Sequence, residues 1–344
     1  MRVAKLFFIV GLAALVGGCF AAAPVFEGAP PADETAAVGP DGVLGLSAAA
    51  DYSYKAELDY KGTDYVDEDG DDYADGSLTT LRFTWYPRSV TDNEIPYALQ
   101  PYMQRATSVR AGLGTGSADW SDAGGPDDID LSVIELGVTL IDAETGLGLS
   151  ISQSYRKMDD QDGSFNIGDD SLTATLFWQN EGGFAAQLGL VKRDSPIYLE
   201  ELGPSMETIP SQTAYRGVSL GAKKVFLLGD QAVDVSASVE YGRYDMLVFA
   251  PKGGGSDLYS LAVTYYPMKM LGIGVSYAGR NYDPELFRKW ESKEYGVSIT
   301  ATLAERFDIG LTYRTSEKDL EDAGWDPEDL NETTEFGMTV GVRF

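Results

Sequence analysis

Residues 295–303 read Tyr-Gly-Val-Ser-Ile-Thr-Ala-Thr-Leu. Odd positions are apolar or aromatic; even ones are Gly, Ser or Thr. Side chains of an extended chain alternate between its two faces, so this is a strand with one greasy face and one small, polar face. Leu271-Gly272-Ile273-Gly274-Val275-Ser276-Tyr277 repeats the pattern. In a soluble sandwich each greasy face needs a protein partner. Against hydrocarbon it needs none.

Working outward, the same alternation runs from Ala50 to Lys61, with even positions apolar and odd ones polar. It returns at about 78–86, 106–115, 131–141, 147–158, 172–178, 184–193, 215–227, 232–245, 258–266, 307–314 and 334–344. Most of these segments approach the ten or so residues that a tilted membrane strand requires. Fourteen half-greasy strands in two stacked sheets would need a very large shared core. The expectation is an all-β fold: an antiparallel transmembrane β-barrel of about fourteen strands, within a range of twelve to sixteen, occupying residues 42–344.

The connections support a membrane barrel. Long ones fall at 62–76, 116–129, 159–171, 194–214, 246–257, 279–293 and 315–333, alternating with short ones at 142–146, 179–183, 228–231, 267–270 and 304–306. Outer-membrane barrels have short periplasmic turns and long outer loops, and an even strand number places both barrel termini in the periplasm. The connection from Pro87 to Arg105 breaks the rule, being long on the short side. Trp85-Tyr86, Phe177-Trp178 and Tyr265-Tyr266 end strands before that side, and Tyr60, Tyr155, Tyr241, Tyr277, Tyr295 and Tyr313 lie nearer the long connections. Two aromatic girdles at the headgroup levels are expected.

The ends carry targeting signals. Arg2 and Lys5 precede an apolar run, Leu6 to Val16, of signal-peptide length. Val16-Gly17-Gly18-Cys19 has the form of a lipobox, placing the chain's single cysteine where a lipid is attached. The alternative is ordinary cleavage near Ala21; cleavage after Ala23 is disfavoured by Pro24. Residues 1–19 are thus the signal segment, and the Ala-, Pro- and acid-rich 20–41 form a flexible linker. At the other end Phe336, Met338, Val340, Val342 and Phe344 alternate with Gly337, Thr339, Gly341 and Arg343. This resembles the terminal-phenylalanine strand that the barrel-assembly machinery recognises.

Charge is segregated. The chain carries 54 acids against 26 bases and no histidine, net −28. The seven long connections account for −26 of it, densest at Asp67–Asp72 and Asp319–Asp329. At one mouth these acids would attract cations and repel anions, or hold divalent cations against lipopolysaccharide phosphate; alternatively they are solvated loops. Such a balance excludes nucleic-acid binding, which needs basic patches. Asp72 stands where a calcium loop needs glycine, so the first run is not an EF-hand. No metal or cofactor site is expected. Outer-membrane enzymes generally use a histidine base, and acids are too common for one carboxylate pair to stand out, so no catalytic residue is assigned.

The face opposite the greasy one would line the lumen. It carries Arg82, Arg110, Arg156, Arg193, Lys223, Arg314 and Arg343 against Glu135, Asp234, Glu240 and Asp308. The first strand adds Asp51, Lys55, Glu57, Asp59 and Lys61. Fourteen tilted strands give a backbone diameter on the order of 28 Å, so water should fill the interior. The charges either set a transverse field across it or pair with each other and brace the wall.

The chain resembles Gram-negative outer-membrane porins. A narrower echo is Thr84-Trp85-Tyr86-Pro87, then Pro96-Tyr97-Ala98-Leu99 and Arg105-Ala106-Thr107-Ser108-Val109. It is similar to the first periplasmic turn of a proteobacterial porin family: aromatic-x-Pro, a Pro-x-Ala stretch, then an Arg-x-Ser strand start. The resemblance covers about 25 residues; the lipobox-like cysteine departs from the usual porin pattern. It implies passive diffusion of small hydrophilic solutes, without cofactor or catalytic residues, in contact with outer-membrane lipid and lipopolysaccharide. The rivals are a barrel whose acidic loops bind a ligand or surface, and a transporter of hydrophobic substrates. The latter needs an apolar N-terminal plug, for which 20–41 is too short and polar.

Overall fold

The computed structural model describes residues 51–67, 72–119, 129–160, 166–196, 212–246, 255–283, 290–320 and 330–344. The signal segment with Cys19, the linker and the tips of the acidic connections lie outside the described residues.

Every alternating segment forms a strand. They are β1 (Tyr52–Asp67), β2 (Asp72–Val90), β3 (Ser108–Asp119), β4 (Ile129–Ile141) and β5 (Leu147–Asp160). Next come β6 (Asn166–Gln179), β7 (Phe184–Pro196), β8 (Gln212–Leu228), β9 (Gln231–Met246) and β10 (Gly255–Met268). β11 (Leu271–Asp283), β12 (Trp290–Leu303), β13 (Phe307–Leu320) and β14 (Leu330–Arg343) complete the set. Each pairs antiparallel with its sequence neighbours, and β1 pairs with β14 from Lys55↔Arg343 to Asp67↔Leu330. The ring is closed. No helix among the described residues is long and apolar enough to cross a membrane; strands make the crossing.

The outer face is greasy all round. On β4, Ile134, Leu136, Val138 and Leu140 are exposed while Val133 is buried; on β12, Tyr295, Val297, Ile299 and Leu303 are exposed. A soluble protein does not expose such a continuous apolar surface, so it faces lipid. The C-terminal stripe Phe336, Met338, Val340, Val342 and Phe344 belongs to it, with Phe344 stacked on Tyr54 at 5.7 Å between ring centres and Phe83 alongside at 6.4 Å.

Several expectations need correction. The strands run well into the long connections: β1 and β2 pair as far as Val66↔Asp72, leaving only 68–71 between them. A 14-residue strand tilted about 40° rises roughly 35 Å, against an apolar band of about 25 Å. Beyond that band both faces meet water, so hydrogen bonding continues while the greasy alternation stops. Even-position alternation from Ala50 also fails at its start. A bulge between Tyr52 and Tyr54 turns Tyr52 inward, where it is 6% exposed. The aromatic pairs divide for the same geometric reason. Trp85, Trp178 and Tyr265 face lipid, but their neighbours Tyr86, Phe177 and Tyr266 point into the barrel.

Those inner rings do not face open water. Residues 91–107, the long connection on the short-turn side, fold into the bore as a strap. It contains a 3-10 turn, Tyr97–Leu99, and one helical turn, α1 (Gln100–Met103). Leu99, Val225, Ala232 and Tyr266 form a buried apolar cluster joined by Ile95, Tyr102 and Met103. The interior is therefore packed at this end rather than wholly water-filled.

The strap is held around the whole mouth. Tyr97 N donates to Lys269 O at 3.0 Å, and Gln179 Nε2 to Tyr102 O at 2.7 Å. Arg105 Nη1 donates to Ala143 O at 2.5 Å. These partners belong to β6 and to the turns before β5 and β11. Gly183, in the turn before β7, has φ +74°, and a Cβ there would meet Met103 Sδ at 2.9 Å. Only glycine permits both that turn and the strap's approach. Shaving Leu99 to Ala should cost the strap about 2–5 kcal/mol while leaving the barrel's ladder intact. We expect limited proteolysis to cut L99A between residues 91 and 107 at protease levels that spare the parent, with folded electrophoretic migration unchanged.

Candidate functional site

The inward residues occupy two walls, seven strands apart around a fourteen-strand ring. On one wall Arg343, 3% exposed, grips Asp308 with two donors, Nε–Oδ2 at 3.0 Å and Nη2–Oδ1 at 2.8 Å. Lys55 Nζ bridges Asp308 at 3.1 Å and Glu57 at 2.6 Å. The Arg343 guanidinium also donates to Tyr97 O at 3.3 Å and lies over the Tyr52 and Tyr97 rings, tying this wall to the strap.

Higher on the same wall, Arg82 takes both oxygens of Glu135, Nε–Oε2 at 2.6 Å and Nη2–Oε1 at 3.0 Å, and its Nη1 pairs with Asp59. Two acids around one guanidinium leave the triad at −1. Glycines make the room: a Cβ on Gly112 would sit 3.1 Å from Glu135 Oε2. On the opposite wall Arg193 reaches both Glu240 oxygens at 3.1 and 3.3 Å, and Lys223 meets Asp234 at 2.8 Å. Lys223 also lies 4.5 Å above the Tyr102 ring.

Against the strap, on the side of the barrel that carries Lys223, lies a cavity of about 530 Å³. Its lining includes Ser150, Thr175, Ser236, Ser238 and Ser260 from the barrel and Tyr102 and Arg105 from the strap. Tyr86, Ile141, Phe177 and several alanines share the lining with these hydroxyls, so the cavity offers both hydrogen bonds and apolar contact.

Of the residues singled out in the sequence, Arg82, Glu135, Arg193, Glu240, Lys223 and Asp234 all sit in inward ion pairs. Arg314 is more exposed and lies 3.7 Å from Glu294 and 3.8 Å from Glu335. Arg110 and Arg156 make no ion pair among the described residues. Arg110 lies beside Gly137, with its Nε 3.7 Å from where a Cβ would stand, and Arg156 is exposed. Sequence reasoning missed Glu294, Glu335 and, above all, the strap residues Tyr97, Leu99, Gln100 and Tyr102. The signal for the strap was present: a connection too long for its side, carrying more apolar residues than a solvated loop.

At the turn between β4 and β5, the Thr145 hydroxyl and the Glu144 amide hold the Asp142 carboxyl below its ordinary range by hydrogen bonding. At the strap, burial pulls the Lys269 ammonium down, but hydrogen bonds with Asp92 and Tyr97 outweigh it and the net shift is upward. Burial pushes the Tyr102 hydroxyl up to about 12.

The closed antiparallel ring, greasy outside and polar within, defines a transmembrane β-barrel of the outer-membrane class. No protein-family model and no curated protein sequence matches the chain. The solved structures it is similar to are outer-membrane β-barrel proteins. Omp33 of Acinetobacter baumannii is 13% identical with a TM-score of 0.46, covering 86% of this chain and 100% of its own. OmpT of Vibrio cholerae is 9% identical at 0.45, over 87% and 99%. An anion-selective porin of Comamonas acidovorans is 11% identical at 0.41, over 85% and 99%.

Replacing Arg82 with Gln removes the cation between Asp59 and Glu135 and takes the triad from −1 to −2. In planar bilayers under a salt gradient, R82Q should shift the reversal potential toward cation selectivity by several millivolts. An unchanged or anion-directed shift would show that this triad does not face the conducting path.

Proposed function

We propose that the protein is a restricted outer-membrane channel through which small hydrophilic solutes and ions diffuse passively. The observation that carries the proposal is the cavity of about 530 Å³, lined by serine and threonine hydroxyls, small apolar side chains and Lys223, inside a lipid-facing ring. In this proposal the short turns and both barrel termini face the periplasm, the strap is the constriction, and the acidic connections form the outer mouth. Because the inner charges are largely paired, the wall itself is close to neutral, and the negative outer mouth gives a preference for cations. No catalytic step is part of the proposal, since the chain offers no histidine base. The outward stripe ending at Phe344 would serve barrel assembly.

The strap also suits a second function: a barrel that binds at its far mouth and conducts little. Conductance separates the two. Replacing residues 92–104 with an Asn-Gly turn should raise single-channel conductance severalfold above a small parental value, because the constriction sets the resistance. Equal conductance in parent and variant would rule out the strap as the constriction, and none in either would favour the binding barrel.

The pH response follows from the strap's anchors. Lys269 has its folded value raised above 10.5, so its contribution is fully present below that value and is lost only as pH climbs through the raised one. Tyr97, raised by burial, acts in the same direction. Conductance should therefore stay flat between roughly pH 6 and pH 9 and rise only in strong alkali. A step near neutrality would contradict this anchoring.

A further inference from the structure

On the lipid-facing surface, Lys192 of β7, Arg216 of β8 and Arg243 of β9 stand side by side: Lys192 pairs in register with Arg216, and Arg216 with Arg243. All three are exposed. They share the outward parity of Leu190, Val218 and Tyr241, which form the neighbouring row nearer the middle of the barrel and are 62%, 44% and 57% exposed. These six residues help line a groove of about 660 Å³ on the outer wall.

Like charges directly across neighbouring strands oppose folding, so the ladder gives no reason for the row. Lys192 is paired with Asp194, and Asp170 lies beside Asp194 in the row beyond. Among the side chains that the structure describes, neither Arg216 nor Arg243 has an ion-pair partner. The row stands just beyond Tyr241, at the level where interfacial aromatics meet headgroups. Adjacent strands lie about 4.8 Å apart, so three bases span roughly 10 Å, the width of a lipid headgroup. Acids flank the row, Asp170 and Asp194 beyond it and Asp257 in register with Tyr241, so what the row offers is two guanidiniums side by side at the edge of an apolar groove.

We infer that this groove holds one phosphate-bearing lipid of the leaflet at the far mouth. Its phosphate would lie against Arg216 and Arg243, whose planar donors fit phosphate in two-point contact, and an acyl chain would run over Leu190 and Val218. The inference rests on the orientation proposed above, with the far mouth outward, where phosphorylated glycolipid forms the leaflet.

Native mass spectrometry of the full chain in zwitterionic detergent tests it, using bisphosphorylated lipid A, its dephosphorylated form and inorganic pyrophosphate as probes. Lipid A should bind at least tenfold more tightly than the dephosphorylated lipid, and R216Q/R243Q should lose that advantage. R216K/R243K should keep only part of it, since an ammonium attracts phosphate without the two-point contact, and pyrophosphate should not compete. Equal binding of the two lipids overturns the inference, as does undiminished binding to R216Q/R243Q with native folded migration. Competition by pyrophosphate would mark a free-anion site instead. Bilayer conductance measured on the same preparations keeps this outcome separate: lipid A binding by a silent barrel would refute the channel and leave the lipid site standing.

Discussion

In hydrocarbon no water is present to satisfy a backbone amide or carbonyl, and each unsatisfied group costs several kcal/mol. A membrane sheet must therefore have no edge. The β1–β14 pairing, from Lys55↔Arg343 to Asp67↔Leu330, is what removes it. Once the ring closes, each strand has one face on lipid and one on the lumen, and the chemistry of every position follows from its parity. Leu136 and Val138 meet acyl chains; Glu135 and Gly137 meet the interior.

The interior solves a different problem. Charged side chains there sit in a partly dry space, and most are satisfied by opposite charges one or two strands away. Arg82 between Asp59 and Glu135 shows how much the arrangement depends on small neighbours, because Gly112 leaves room for the carboxylate. At the turn end the strap replaces water with an apolar cluster around Leu99, and ties itself to the wall through Arg343, Lys269 and the carbonyls of Ala143 and Gly183. The wall is thus a rigid frame, and the strap is the element whose stability is set separately from it.

Much of this was legible in the sequence because alternation is a local property. Strand positions, the barrel class and the inward set from Arg82 to Arg314 all come from parity along short segments. Where parity fails the sequence misleads: the bulge at Ser53 sends Tyr52 inward, and continued pairing beyond the bilayer leaves no trace once both faces meet water. The aromatic pairs such as Tyr265-Tyr266 looked like a single girdle, though adjacent residues cannot share a face.

By itself, then, the sequence determined the barrel class, the two faces of most strands, a strand number within twelve to sixteen, and where charge accumulates, since period two and composition are fixed residue by residue. Only the tertiary structure decided that the Pro87–Arg105 connection turns into the bore, which acids neutralise which bases, and that Lys192, Arg216 and Arg243 form one row on the outer wall. Those outcomes depend on inter-strand register and on a segment's choice between solvent and cavity, and both are set by partners distant along the chain.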